Sequence, residues 1–109
     1  MKRILIPLWE DNVAPRFDLA QEALIVLLNE KDEVMEKRII ILSHASAESF
    51  CNLIINEKVD TVICCGIEEE FYQFLTWKKV KVLDSVMGSS EKVLGEIRQG
   101  TLGEGAMLM

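Results

Sequence analysis

The chain has 109 residues, 50% of them hydrophobic and 28% charged, with a formal net charge of -6 at pH 7. That length predicts one domain, able to bury roughly two-thirds of the surface its unfolded chain exposes. The acidic balance, with no basic cluster beyond pairs such as Lys78-Lys79, argues against nucleic acid or an anionic membrane surface as the main partner. No apolar run approaches the roughly 20 residues of a membrane span, and three cysteines without disulfide-framework spacing point to a reducing cytoplasm.

Lys2 to Trp9 is mostly apolar, with Ile4, Leu5, Ile6 and Leu8, and reads as a buried strand. Ala23 to Leu28 and Val34 to Leu42 are two more such runs, joined by the turn-prone Asn29-Glu30-Lys31-Asp32-Glu33, so they predict a hairpin. The first 42 residues thus form an expected three-stranded antiparallel meander. About a dozen residues separate strands 1 and 2, more than a simple reversal needs. That loop holds Pro15 and places Arg16 beside Phe17.

The pattern then becomes helical. Ser46 suits an N-cap, Glu48 the first turn, and Phe50, Leu53 and Ile54 one helical face. Thr61 to Ile67 returns to strand character. Glu68 to Lys79 reads as a helix with acids at its start and lysines at its end, which complements the helix dipole. Val80 to Leu83 is a fifth strand. Ser89 or Ser90 caps a third helix carrying Val93, Leu94 and Ile97, closed by Gly100. Residues 101–109, rich in glycine and methionine without a period, form an expected flexible tail after a single domain over residues 1–100.

The element order βββαβαβα, with right-handed crossovers in its second half, predicts an α/β fold. A five-stranded mixed sheet of order 3-2-1-4-5, strand 2 antiparallel, with helices on both faces gives a three-layer architecture of the ribonuclease-H-like type. Ligands in such sheets favour the crevice beyond the carboxyl ends of the parallel strands. Four connections open there, bringing Arg16, His44, Cys65, Gly66, Ser85 and Gly88 to one rim.

The candidate chemistry on that rim follows from residue type. Strand alternation sends the adjacent thiols of Cys64 and Cys65 to opposite faces, so Cys65, nearer the edge, is the better metal ligand. Both also suit a packed core, as does Cys51 on its helix. His44, the single histidine, can meet a metal or remain solvated. Arg16 offers a fork of donors to an anion, or pairs with Asp18 or Glu22. Phe17 reads both as a plug in the core and as a neighbour of the binding set. Gly66 and Gly88 allow close backbone approach to a ligand and equally suit plain turns. Glu68-Glu69-Glu70 repels an anion from the helix it opens, so an anionic ligand belongs nearer Arg16. No carboxylate cluster for paired metal ions, phosphate loop or Ser-His-Asp set is present, which predicts a protein that is not an enzyme.

Val13-Ala14-Pro15-Arg16-Phe17-Asp18-Leu19-Ala20 followed by Leu24-Ile25-Val26 resembles the N-terminal signature of the dinitrogenase iron-molybdenum cofactor biosynthesis family, which includes NifX-like nitrogenase accessory proteins. Thr61-Val62-Ile63-Cys64-Cys65-Gly66-Ile67 resembles its second signature. Val80-Lys81-Val82-Leu83, Gly88 and Glu91-Lys92-Val93-Leu94 resemble its last strand, glycine turn and closing helix. The resemblance implies a ribonuclease-H-like fold and a cytoplasmic carrier or assembly factor that binds an iron-sulfur or molybdenum-containing metal–sulfur cluster. On this chain's own rim, Cys65 and His44 are the expected metal ligands, and Arg16, Phe17, Gly66, Ser85 and Gly88 the expected cluster contacts. Its partners are the cluster and a cluster-assembly or cluster-accepting protein, with neither nucleic acid nor membrane. Many members carry His-Phe-Gly where this chain has Arg16-Phe17-Asp18. The alternative expectation is a small-anion or protein-interaction module on the same fold.

Overall fold

Strand β1 (Lys2–Trp9) sorts its apolar residues to two faces, and each face meets its own core. Leu5 joins Ala23, Ile25, Val62 and Cys64 on one side, whereas Ile4, Ile6 and Leu8 join Leu24, Val26 and Ile63 on the other. A strand buried on both sides has to be central, because only a middle strand is covered by two layers. The structure, a computed structural model, describes residues 1–100, 102–103 and 105–108. Thr101, Glu104 and Met109, part of the expected tail, lie outside the described residues.

Around β1 the chain builds a mixed sheet. Strands β3 (Glu22–Leu28) and β4 (Val34–Ile41) extend it antiparallel on one side, and β5 (Thr61–Ile63) and β6 (Lys81–Leu83) extend it parallel on the other. The path is β4-β3-β1-β5-β6, with the short β2 (Asn12–Val13) also paired to β1. A second, two-stranded sheet joins β7 (Met87–Gly88) to β8 (Met107–Leu108) in parallel. Five strands are expected from the sequence; among the described residues the main sheet has six, and two more lie outside it. The expected strand Thr61–Ile67 ends at Ile63, where the chain leaves the ladder for the turn at Gly66. The tail, expected to hold no element, contributes β8, and its Leu102, Ala106 and Leu108 pack against the second core.

Helices cover both faces. In α1 (Ala47–Asn56) the Ser46 hydroxyl accepts the Ser49 N–H at 3.2 Å, and Phe50 and Ile54, one turn apart, fill the first core. Helix α2 (Glu69–Trp77) has no side-chain cap; its first-turn acids Glu69 and Glu70 offset the dipole instead, and Leu75 is its fully buried anchor. Helix α3 (Ser90–Gln99) is capped by the Ser89 hydroxyl on the Lys92 N–H and buries Val93, Leu94 and Ile97 in the second core. No helix among the described residues is long and apolar enough to cross a membrane.

The edge strand β4 is exposed over most of its length, including Ile39 and Ile41. Its run Glu36-Lys37-Arg38 places charge on an edge that would otherwise invite pairing. Arg38 is ion-paired with Glu57 at the end of α1, which pushes its pKa up and ties the edge strand to the helix layer.

The first core is centred on an aromatic group contributed from three places. Phe17, from the loop between β2 and β3, is 1% exposed, with its ring 5.3 Å from Phe50 of α1 and 6.5 Å from Phe71 of α2. Truncating it leaves a cavity between both helices and the sheet. Phe17→Ala is expected to lower unfolding stability by about 3–5 kcal/mol, read as a reduced urea midpoint at unchanged slope.

Candidate functional site

Strands β1, β4, β5 and β6 point the same way, so their carboxyl ends share one rim. The loop after β1 does not stand free above it. Asn12 and Val13 turn back onto Trp9 and Leu8, and the Ala14 N–H donates to the Pro7 carbonyl at 2.8 Å. The chain then crosses to the exit of β5. There the Gly66 N–H donates to the Pro15 carbonyl at 2.8 Å, and the Phe17 N–H donates to the Gly66 carbonyl at 2.7 Å. Arg16 and Gly66 thereby form a parallel bridge.

Gly66 is required by space. A Cβ there would lie 2.8 Å from the Pro15 carbonyl oxygen, a backbone atom that cannot swing aside. Both its backbone hydrogen-bonding groups are taken by the loop. Gly66, expected to let a ligand approach, instead lets the loop approach.

Arg16 is half-exposed above this bridge, with both arms of its guanidinium on Asp18, Nε–Oδ1 at 3.0 Å and Nη2–Oδ2 at 2.6 Å. Its charge is matched within the loop, the ion-pair alternative that the sequence left open. Phe17, expected among the ligand contacts, has no surface to offer because its ring is enclosed in the core. The four connections at the rim carry Glu10, Asp11, Asp18, Glu68 and Asp84 against the single cation Arg16. The rim is acidic.

The three thiols sort by burial. Cys64 lies in the first core, where burial, with Asp84 and Cys65 nearby, pushes its pKa up to about 12. Cys51 lies against the same core and is raised to about 11, again chiefly by burial. Cys65 is half-buried on the opposite face, beside the second core. Adjacent residues thus face opposite layers, as strand alternation requires. Cys65 is the thiol nearest the rim.

His44 and Cys65, the two expected metal ligands, follow different strands of the rim. His44 is exposed after β4, at the edge of the sheet, while Cys65 follows β5, three strands away along the path β4-β3-β1-β5. Among the described residues no three His, Cys, Asp or Glu side chains are grouped to hold a metal ion.

Ser85 and Gly88 are used by the fold. Ser85 is exposed with a left-handed φ of 58°, and its N–H donates to the Cys65 carbonyl at 2.9 Å. Gly88 has φ 132°, and a Cβ on it would strike the Leu108 carbonyl oxygen and lie 2.8 Å from the Leu108 Cβ. Its open side is where β8 docks, held by the Met87 N–H on the Ala106 carbonyl at 2.8 Å and the Gly105 N–H on the Asp84 carbonyl at 3.0 Å.

One rim feature escaped the sequence reading. At the end of β1 a cleft of about 260 Å³ is lined by Leu8, Trp9, Glu10, Leu19, Gln21 and Glu22. Trp9 marked only the end of an apolar run. The available signal was an aromatic residue followed by a carboxylate at the carboxyl end of the central strand.

Residues 1–100 match the family model described as dinitrogenase iron-molybdenum cofactor. The fold is similar to that of PH0822, with a TM-score of 0.84 and 19% identity over 94% of this chain and 95% of that one. It is also similar to MJ0327 of Methanocaldococcus jannaschii, provisionally named a dinitrogenase, at TM-score 0.75 and 25% identity over 93% and 91%. A Thermotoga protein, TM1290, provisionally named a NifB protein, gives TM-score 0.72 and 19% identity over 95% and 93%. No curated protein matches the chain.

The burial order of the thiols sets their reactivity, since the thiolate is the nucleophile and a buried thiol resists ionisation. Alkylation of the native protein at pH 8 is expected to modify Cys65 and spare Cys51 and Cys64, which react only after unfolding; peptide mapping of the labelled protein checks this.

Proposed function

The chain belongs to the dinitrogenase iron-molybdenum cofactor family, and we propose that it serves the biosynthesis of that cofactor as an accessory or carrier protein. Its cargo in this reading is an iron–sulfur or molybdenum–sulfur cluster, taken up from one protein and passed to another. The observation that carries the reading is the span of the match. Residues 1–100 contain every element from β1 through α3 and all four connections of the rim. The likeness to MJ0327, at 25% identity, supports the same association with nitrogenase chemistry.

The cargo attaches through Cys65, the one thiol that is not buried, and its thiolate completes coordination that the cargo's own sulfide and the delivering or accepting protein otherwise supply. Arg16, engaged by Asp18, is released to an anionic cargo only if that pair opens. Binding and hand-over need no catalytic group, so the protein is proposed as a non-enzyme acting in the cytoplasm. The three-layer arrangement supports assigning the fold to the ribonuclease-H-like type.

One observation favours a second reading, a protein-interaction module on the same fold. The connections of the rim carry five carboxylates against an arginine paired with one of them, and among the described residues no three metal-binding side chains are grouped. A small anion finds little there, whereas a basic protein surface does.

Anaerobic reconstitution with ferrous iron, sulfide and tetrathiomolybdate separates the two. The carrier reading expects iron or molybdenum to stay with the protein through gel filtration, with visible charge-transfer absorption. Replacing a ligand costs at least as much as the roughly 10–100-fold known for its supporting contacts, so Cys65→Ser is expected to lose at least about tenfold in retained metal. A wild-type protein that retains no metal removes the carrier reading and leaves the interaction module.

A further inference from the structure

The cleft at the end of β1 has a chemistry of its own, separate from Cys65. Its walls are Leu8, Trp9 and Leu19, and its polar groups are Glu10, Gln21 and Glu22. We propose that this cleft binds an organic ammonium group, either the head of a small amine or a lysine side chain of another protein.

The geometry follows from the register. Leu8 stands directly opposite Glu22 in the β1–β3 ladder, so the Glu22 carboxylate rises from the same face as Leu8. Trp9, one residue on, belongs to the other face. The space capping this strand pair is therefore lined from both sides of the sheet.

The charge is one-signed. Two carboxylates and no cation line the cleft. Neither Glu10 nor Glu22 has an ion pair or side-chain hydrogen bond with another described residue, unlike Glu36, Glu57 and Glu69 elsewhere on the surface. The nearest loop cation by sequence, Arg16, is held by Asp18.

The apolar part is equally particular. Trp9 is 62% exposed and Leu19 58% exposed, large surfaces left in water beside the two carboxylates. An indole face is the strongest aromatic partner for a cation, and alkyl carbons next to the ammonium gain from the exposed Leu19. A hard divalent ion is a poorer fit, because it asks for six or more oxygen ligands. At about 260 Å³, the cleft falls below the roughly 300 Å³ at which drug-sized ligand pockets begin. It suits a head group rather than a whole cofactor. None of this depends on cluster carriage.

The chain has two tryptophans. Trp77 lies on α2, exposed beside Phe74 and under Lys78, so Trp77→Phe leaves Trp9 as the sole reporter. In that background Trp9 emission is followed against spermidine, against a short neutral-capped lysine peptide, and against sodium chloride and sodium sulfate at matched ionic strength. A saturable change is expected with an amine and not with either salt. Tighter binding of spermidine identifies a free amine as the ligand, and tighter binding of the peptide identifies a protein side chain. Loss of both carboxylates, Glu10→Gln with Glu22→Gln, is expected to weaken binding about tenfold. No saturable change up to about 10 mM amine, a weaker regime than any useful recognition, overturns the proposal. So does an equal response to sodium chloride, or undiminished binding by the double variant.

Discussion

Two backbone hydrogen bonds hold the upper half of this molecule in place, from the Gly66 N–H to Pro15 and from the Phe17 N–H to Gly66. They zip the loop after the central strand onto the exit of its parallel neighbour. The zip closes because residue 66 has no Cβ to meet the Pro15 carbonyl. Once closed, it fixes the backbone on either side of Arg16 and drives Phe17 down between α1 and α2, where it completes the aromatic centre of the first core. Loop, parallel strand exit and both helices of one layer therefore share a single junction.

The same junction decides what the rim can offer. Gly66 gives both its backbone groups to the loop, Ser85 gives its N–H to Cys65, and Gly88 gives its open side to Leu108. The backbone positions that resemble cofactor cradles in sequence are occupied by the protein itself. What is left outward is side-chain chemistry: the Cys65 thiol, the Arg16–Asp18 pair, a series of carboxylates, and Trp9. The proposed cluster carriage draws on the first of these and the proposed ammonium recognition on the last two, so the two proposals do not compete for a residue.

Much of this was legible in the sequence, for definite physical reasons. Long elements repeat their signal: Ile4, Ile6 and Leu8 alternate with Leu5, and Phe50 and Ile54 sit one turn apart. Each residue then reports the same face independently. Strands β2, β7 and β8 are two residues long, too short to show a period, and they exist only because tertiary neighbours pair with them. Gly66 and Gly88 were visible as glycines, but sequence could not say whether a ligand or a chain segment would fill the space. His44 and Cys65 both leave strands at the same edge, yet β4 is outermost and β5 is next to centre, a ranking that residue type alone does not carry. The Arg16–Asp18 contact was one of two open partners, and only the loop geometry chose between them.

The junction at Gly66 is tested most directly by amide hydrogen exchange in the native protein, residue by residue. If the loop is zipped onto the sheet as described, the Phe17 and Gly66 amides exchange with the slowest group, alongside those of β1 and β5, because they open only when the domain unfolds. Exchange of both at the rate of an exposed surface loop, orders of magnitude faster than the central strands, would contradict the account.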